Sequence, residues 1–410
     1  MLRLTAPWVL PIARPAVANG AVLLDVGGRI VAVGPDDVVP RPEGARSQHF
    51  DDAVLLPGLV NTHTHLELTG FAGRVQDDEF WAWITHLMAI KAARSDEEFY
   101  LAAQQGIRDC WRAGVTTICD TGSTGQVIAA LAGLGGSGIV HHEVFGPHPD
   151  ECDQAMRLFS ADLDRLAKYA TGRVSLGVSP HAPYTVSGPL YRAAADLARA
   201  HGLPLAVHLA EPPGESALLH DFTGTFADAW RVRGIPRPSL VPVSPVAWLE
   251  QHGVLSPRTL CIHVLNVADH DADLLQRHDC AIAHCPRSNR RHHGIDAPMQ
   301  RYLDRRLRIG LGTDSEVSVA PLDLIAEARS ARVLAGWDAT QAVRALTLGG
   351  AEALGVERDI GSVAAGKWGD LVAIRVGATD SPEKAVLASA LSDVLATWLG
   401  GCQVHSEMLT

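Results

Sequence analysis

The sequence predicts an α/β fold, a (β/α)8 TIM-like barrel with a small β-sandwich built from the N- and C-terminal segments. Three observations predict it. From about residue 54 to about residue 350, eight short β-rich apolar runs alternate with helical patterns, as parallel βα units do. Titratable residues fall at the ends of several of these runs, where a barrel places its chemistry. The two flanking segments carry β character and turn signals instead. The divisions read as 1–54 for the first part of the sandwich, 55–358 for the barrel and 359–410 for the second part. A chain of 410 residues suits one large domain with a smaller one.

The elements follow in order. Residues 16–34, "AVANGAVLLDVGGRIVAVG", read as short strands, with one turn at Asn19-Gly20 and a hairpin turn at Gly27-Gly28. The eight runs are "AVLLPGLVNTHTH", "GVTTICDTG", "GIVHHEVFG", "VSLGVSPHAPY", "PLAVHLAEP", "TLCIHVLN", "CAIAHCPRSN" and "RIGLGTDSE". Between them, "SDEEFYLAAQQGIRDCWRAG" opens with Ser95 and Glu98 in capping-box spacing and ends at Gly114. "PLYRAAADLARAHG" stops at Gly202 and "PVAWLEQHG" at Gly253. The tail segments "GSVAAGKWGDLVAIRV" and "DVLATWLGGCQVH" return to β character.

Composition narrows the function classes. The formal net charge is −11, and no Lys/Arg cluster with interleaved aromatics appears, so nucleic acid is not an expected partner. Pro7, Pro11 and Arg14 interrupt any signal-peptide core, and the run Val127–Val140 is too short and Gly-rich to span a bilayer. A cytoplasmic protein with no membrane partner is expected. The seven cysteines are scattered, with no C-x-x-C spacing, which points to reduced thiols rather than a disulfide framework or zinc knuckle.

His63, His65 and Glu67 alternate in "NTHTHLEL", and in an extended strand they share one face. His181 closes the fourth run, His208 the fifth with Glu211 three residues on, His263 the sixth and Asp314 the eighth. One histidine at a strand end is more often structural. Several at the same end of successive strands converge on the barrel axis. Three imidazoles and a carboxylate suit a borderline divalent cation such as Zn²⁺ or Fe²⁺. Glu211 is then free to face a substrate.

These motifs resemble those of the amidohydrolase superfamily, in its mononuclear aminohydrolase branch, over nearly the whole length. "PGLVNTHTH", "HLAE", "IH" and "GTDS" resemble the family's motifs of strands one, five, six and eight. The resemblance implies one divalent metal ion, zinc first and iron as the alternative, bound by His63, His65, His208 and Asp314. It implies that Glu211 shuttles a proton to a ring nitrogen, that His263 orients the attacking water, and that Asp314 also takes a proton from it. His181 would contact a purine ring. Homodimers are common among relatives with this sandwich.

Two absences sharpen this. None of the four lysines, Lys91, Lys168, Lys367 and Lys384, falls at a strand end, so the carboxylated lysine of binuclear relatives has no counterpart. Glu143 in "HHEVFG" is the residue to watch, because some relatives use a strand-three glutamate as a ligand. His65-Leu66-Glu67 matches half of the cytidine-deaminase zinc signature, but its P-C-x-x-C partner is missing.

Adjacent His141 and His142 face opposite ways on a strand and read as structural, and His292 and His293 as residues of a solvated loop. Trp81 and Trp83 follow the strand-one loop, and Trp83 is the candidate to stack on a substrate ring. "HTHLEL", "FWAWI", "SPHAPYTVS" and "CPRSN" resemble aminodeoxyfutalosine deaminases, which act on a small adenine nucleoside-like molecule. In that case Glu67 reaches a ribose hydroxyl, Asn289 and Arg287 contact substrate, and an arginine among Arg74, Arg287, Arg290 and Arg291 meets a benzoate. The alternatives are a deaminase of S-adenosylhomocysteine, methylthioadenosine, or another purine or pterin. A triazine-type chlorohydrolase ranks below these, and a catalytically dead scaffold ranks last because the ligand set is complete.

Overall fold

The computed structural model describes residues 1–238 and 243–407. The last three residues of the 359–410 segment therefore lie outside the described residues. Five strands come first: β1 (Leu2–Val9), β2 (Val17–Leu24), β3 (Ile30–Pro35), β4 (Arg46–His49) and β5 (Ala53–Pro57). Eight follow: β6 (Leu59–Thr64), β7 (Val115–Gly122), β8 (Gly138–Val144), β9 (Val174–Pro180), β10 (Leu205–Leu209), β11 (Thr259–His263), β12 (Ala281–His284) and β13 (Arg308–Leu311). The last three are β14 (Leu371–Arg375), β15 (Val394–Leu399) and β16 (Cys402–Ser406).

Strands β6 to β13 form one parallel sheet in sequence order. It closes between its ends through a parallel bridge of Thr64 with Asp314, and His63 O accepts from Asp314 N at 3.0 Å. These strands are almost wholly buried and helices cover their outer side. Such strands read as continuous apolar runs rather than alternating ones. The terminal strands form a separate mixed sheet in the order β16-β15-β14-β5-β1-β2-β3, with β4 added beside β1. Its own core holds Leu4, Leu24, Leu55 and Trp398, with Phe50 packed edge-on to Trp398 at 5.9 Å.

The first apolar run serves both sheets. Ala53–Pro57 pairs antiparallel with β14, and only from Leu59 does the chain enter the barrel. Gly58 donates its N–H to Asp370 O at 2.9 Å at the changeover. Asn19-Gly20 is not the expected turn, because β2 runs straight through it. Gly20 is needed there for packing, since a Cβ would lie 2.6 Å from Val9 Cγ2. The helix Asp96–Arg112 carries both bonds of its capping box, with Ser95 and Glu98 exchanging side-chain and backbone hydrogen bonds.

Candidate active site

The ends of the barrel strands bring the titratable residues together at one mouth. Several end residues have left-handed backbones: Ala210 (φ 52°), His263 (φ 69°), Val264 (φ 51°) and Asp314 (φ 59°). Non-glycine residues avoid this region, and such strain collects where a site is over-determined by its surroundings. Gly312 lets the last strand approach the first, since a Cβ there would sit 2.8 Å from His63 Cβ.

Four donor groups converge. His65 Nε2 and His208 Nε2 lie 3.3 Å apart, and Asp314 Oδ1 is 3.6 Å from the Nε2 atoms of both His63 and His65. The His63 ring packs edge-on to His65 at 4.7 Å and to His208 at 5.0 Å. His63 is fully buried, yet neither of its ring nitrogens has a hydrogen-bond partner, and His208 Nδ1 has none either. Burial holds His63 down to about 4 against the pull of Asp314, and burial with neighbouring imidazoles holds His208 well below the ordinary range. These rings are therefore neutral, with lone pairs to offer. Burial raises the Asp314 carboxyl, but His63, His65 and His263 outweigh it and hold it well below the ordinary range. His65 Nδ1 donates to Thr121 O at 2.8 Å, which fixes its Nε2 as an acceptor. Ser288 Oγ donates to Asp314 Oδ2 at 2.5 Å. Orphaned buried imidazole nitrogens beside an anionic carboxylate fit a divalent cation.

Next to this cluster, His263 Nδ1 donates to Asn289 Oδ1 at 2.8 Å, and its Nε2 lies 3.6 Å from Glu211 Oε1. His293 Nε2 is 3.1 Å from the same oxygen. Burial raises Glu211, but His263 and His293 bring it down to about 2, so it is ionised at neutral pH. The turn that presents it is pinned by Glu215, whose carboxyl oxygen accepts from Ala210 N at 2.8 Å, and by Asn266 Nδ2 on Glu211 O at 2.7 Å. His181 follows β9, with its ring 4.7 Å from His208 and 4.9 Å from Phe145, and its Nδ1 bonded to Thr185 Oγ1 at 2.8 Å.

Other expected residues are engaged with protein partners. Glu67 is not on the strand. Asp120 Oδ2 accepts from Thr64 Oγ1 and Leu66 N, and the chain turns there into a 3-10 turn, Leu66–Leu68. The Glu67 carboxylate is committed to Lys91 on one oxygen and to Thr124 on the other. Asn289 is turned to His263 rather than toward open space, and its amide nitrogen reaches His284 Nδ1 at 3.4 Å. Arg287 is directed to Glu327 and Pro321 O, on a separate cavity of about 750 Å³ shared with Arg290 and Arg291. Arg290 is paired with Asp296, and Arg74 lies over the Phe71 ring. Trp83 is buried among Leu68, Phe71 and Val317, with its ring 4.4 Å from His292.

Three participants went unseen in the sequence. His293, expected in a solvated loop, has a side chain only 2% exposed that holds Glu211. Ser288 holds Asp314 from inside "CPRSN". Lys91 reaches the region from the helix Phe80–Ala92 rather than from a strand end. Its one signal was a lone lysine in the mostly apolar stretch "LMAIKAA".

Comparison with known proteins places the chain in a family. Residues 54–403 match the model of the amidohydrolase family. A 5-methylthioadenosine/S-adenosylhomocysteine deaminase of Syntrophobacter fumaroxidans is 29% identical over 87% of this chain and 80% of its own length. The aminodeoxyfutalosine deaminase of Deinococcus radiodurans is 32% identical over 83% of this chain and 82% of its own. An adenosine deaminase from Xanthomonas campestris, solved with bound zinc, superposes with a TM-score of 0.84 at 25% identity, covering 98% of this chain and 92% of that one. The chain belongs to the amidohydrolase family.

Proposed function

We propose that this amidohydrolase is a zinc-dependent deaminase of an adenine nucleoside-like substrate, with 6-amino-6-deoxyfutalosine of menaquinone biosynthesis as the first choice. That the chain is a hydrolytic deaminase rests on its family and on its deaminase relatives. The observation that carries the chemistry is an ionised, buried Glu211 held by two histidines beside four convergent ligand groups.

His63, His65, His208 and Asp314 would hold a divalent cation, which when bound would supply an acidified water, its pKa lowered from 15.7 toward ~7. The remaining work falls to the side chains. Asp314, anionic and fixed by Ser288, accepts one proton from the water. His263 presents Nε2 toward the same space because Asn289 occupies its Nδ1–H. Glu211 accepts a proton and delivers it to the ring nitrogen beside the amino-bearing carbon. The water oxygen bonds to that carbon, the C–N bond breaks, and the amino group leaves as ammonia with the proton returned from Asp314. His181, neutral because burial holds it down to about 3, faces the ring.

The 29% identical relative named for methylthioadenosine and S-adenosylhomocysteine keeps those two substrates as the second choice. Seven free cysteines support a reducing, cytoplasmic setting, and the net charge of −11 argues against nucleic acid. Among the described residues no helix is long and apolar enough to cross a membrane. A homodimer completes the proposal.

Ultraviolet absorbance tests the substrate, because adenine-to-hypoxanthine conversion shifts the spectrum. The zinc-loaded protein is offered aminodeoxyfutalosine, S-adenosylhomocysteine, methylthioadenosine and adenosine in parallel. The expected result is fastest turnover of aminodeoxyfutalosine. Preference for another adenosine would retain the mechanism and replace the substrate, and no turnover of any would remove the nucleoside.

A further inference from the structure

Glu143 is the last residue but one of β8, 7% exposed, and its Oε1 has no hydrogen-bond partner. A buried carboxylate oxygen left without a donor is costly and calls for an explanation. Its ligand atom lies within 4.8 Å of ring nitrogens of both His181 and His208, so the carboxylate faces the space those rings enclose. His208 is already engaged with His65 on the other side, so a second cation on this trio would have to share it.

Lys91 borders the same wall. Its side chain is 16% exposed, and its ammonium is bonded to Glu67 and, at 3.1 Å, to Ser123 Oγ. Ser123 follows Gly122, which pairs with His142 on β8, so the ammonium stands level with Glu143 on the neighbouring strand. An ammonium has three donors, and these contacts use two. The wall thus presents an unpaired acceptor beside a partly exposed donor. It carries two carboxylates against one ammonium, which disfavours an anionic substituent. Lys91 in turn disfavours a cationic one. A neutral group that both donates and accepts suits it, and neighbouring hydroxyls do both.

We propose that Glu143, with Lys91 beside it, is the substrate-positioning pair for the vicinal hydroxyls of a sugar, and that Glu67 serves only to hold Lys91. This rests on the deaminase reading above and deepens it. The site then selects a nucleoside over a free base or a triazine. A pocket built to bond a substrate hydroxyl rejects the analogue that lacks it strongly, because its own polar groups are left unpaired.

The test compares methylthioadenosine with its 2′,3′-dideoxy analogue on the zinc-loaded wild type and on Glu143→Gln, with metal content measured for both. The wild type is expected to prefer the ribonucleoside by about 100-fold or more in kcat/KM. Glu143→Gln is expected to lower kcat/KM for the ribonucleoside at least about 30-fold, and that for the dideoxy analogue by less than about threefold, with zinc retained. Equal wild-type rates on the two substrates would overturn the proposal without recourse to any variant. So would equal losses in the variant, or loss of its zinc, which would make Glu143 a ligand. Wild-type failure on both, and on aminodeoxyfutalosine, S-adenosylhomocysteine and adenosine as well, with zinc bound, would overturn the nucleoside reading and this one together, a result distinct from turnover without discrimination.

Discussion

At the scale of single residues, the site is a set of side chains each fixed by another. Asn289 sets the tautomer of His263, Thr121 O that of His65, Ser288 the angle of Asp314, and His293 the position of Glu211. The histidines and acids themselves were legible, because they recur at the ends of successive apolar runs inside motifs that resemble the family's. Their supports were not, since a serine, an asparagine or a second histidine has no spacing rule and acts only once the chain has folded. Glu67 shows the same limit from the other side. Alternation put it on the ligand face, but Asp120, 53 residues away in sequence, captures Leu66 N and ends the strand first. Glu211→Gln keeps the shape and removes the charge. It is expected to retain a full complement of metal and to lose turnover by about 10²–10⁴-fold, the usual worth of a positioned acid–base group. Metal analysis beside a rate assay reads both, and an undiminished rate would take the shuttle from Glu211.

At the scale of elements, local rules carried far. The capping box at Ser95 and the apolar runs of the barrel appear where sequence patterning places them. What patterning could not see was the division of one run between two sheets. "AVLLPGLVNTHTH" is apolar throughout because both of its halves are buried, so hydrophobicity alone draws no line at Gly58. The helix Phe80–Ala92 is a similar case. Its tryptophans stand out in the sequence, yet Trp81 packs on Phe226 and Trp83 on His292, and the residue it sends toward the site is Lys91. An apolar stretch with one charge in it is ambiguous until its neighbours are known, and here they are Glu67 and Ser123, from two different strand ends.

For the whole molecule, the terminal sheet and the barrel are joined by Arg173, whose guanidinium grips Asp370 through two bonds, one of 2.8 Å. Burial also sets the response of the whole fold to acid. His141 and His284, neither one of the expected metal ligands, are both held down to about 3 by burial. The folded protein keeps them neutral while the unfolded chain protonates them below about pH 6.5. The unfolded state then binds more protons, so stability rises with pH. Stability from these two groups is complete above about pH 6.5. It falls by about 1.4 kcal/mol per group per pH unit down to about pH 3. Tm is expected to drop steadily from pH 7 to pH 4, and a flat profile would show that these rings are protonated or solvated in the fold.

Four convergent side chains are expected to hold one divalent cation on which hydrolysis depends. The most direct measurement is metal content per chain together with deaminase turnover, before chelation, after it, and after adding back one equivalent of zinc. The expected result is one metal per chain, turnover lost with the metal and regained with it, and metal-free protein from His63→Ala. Full turnover by the chelated protein, or a full metal content in His63→Ala, would contradict it.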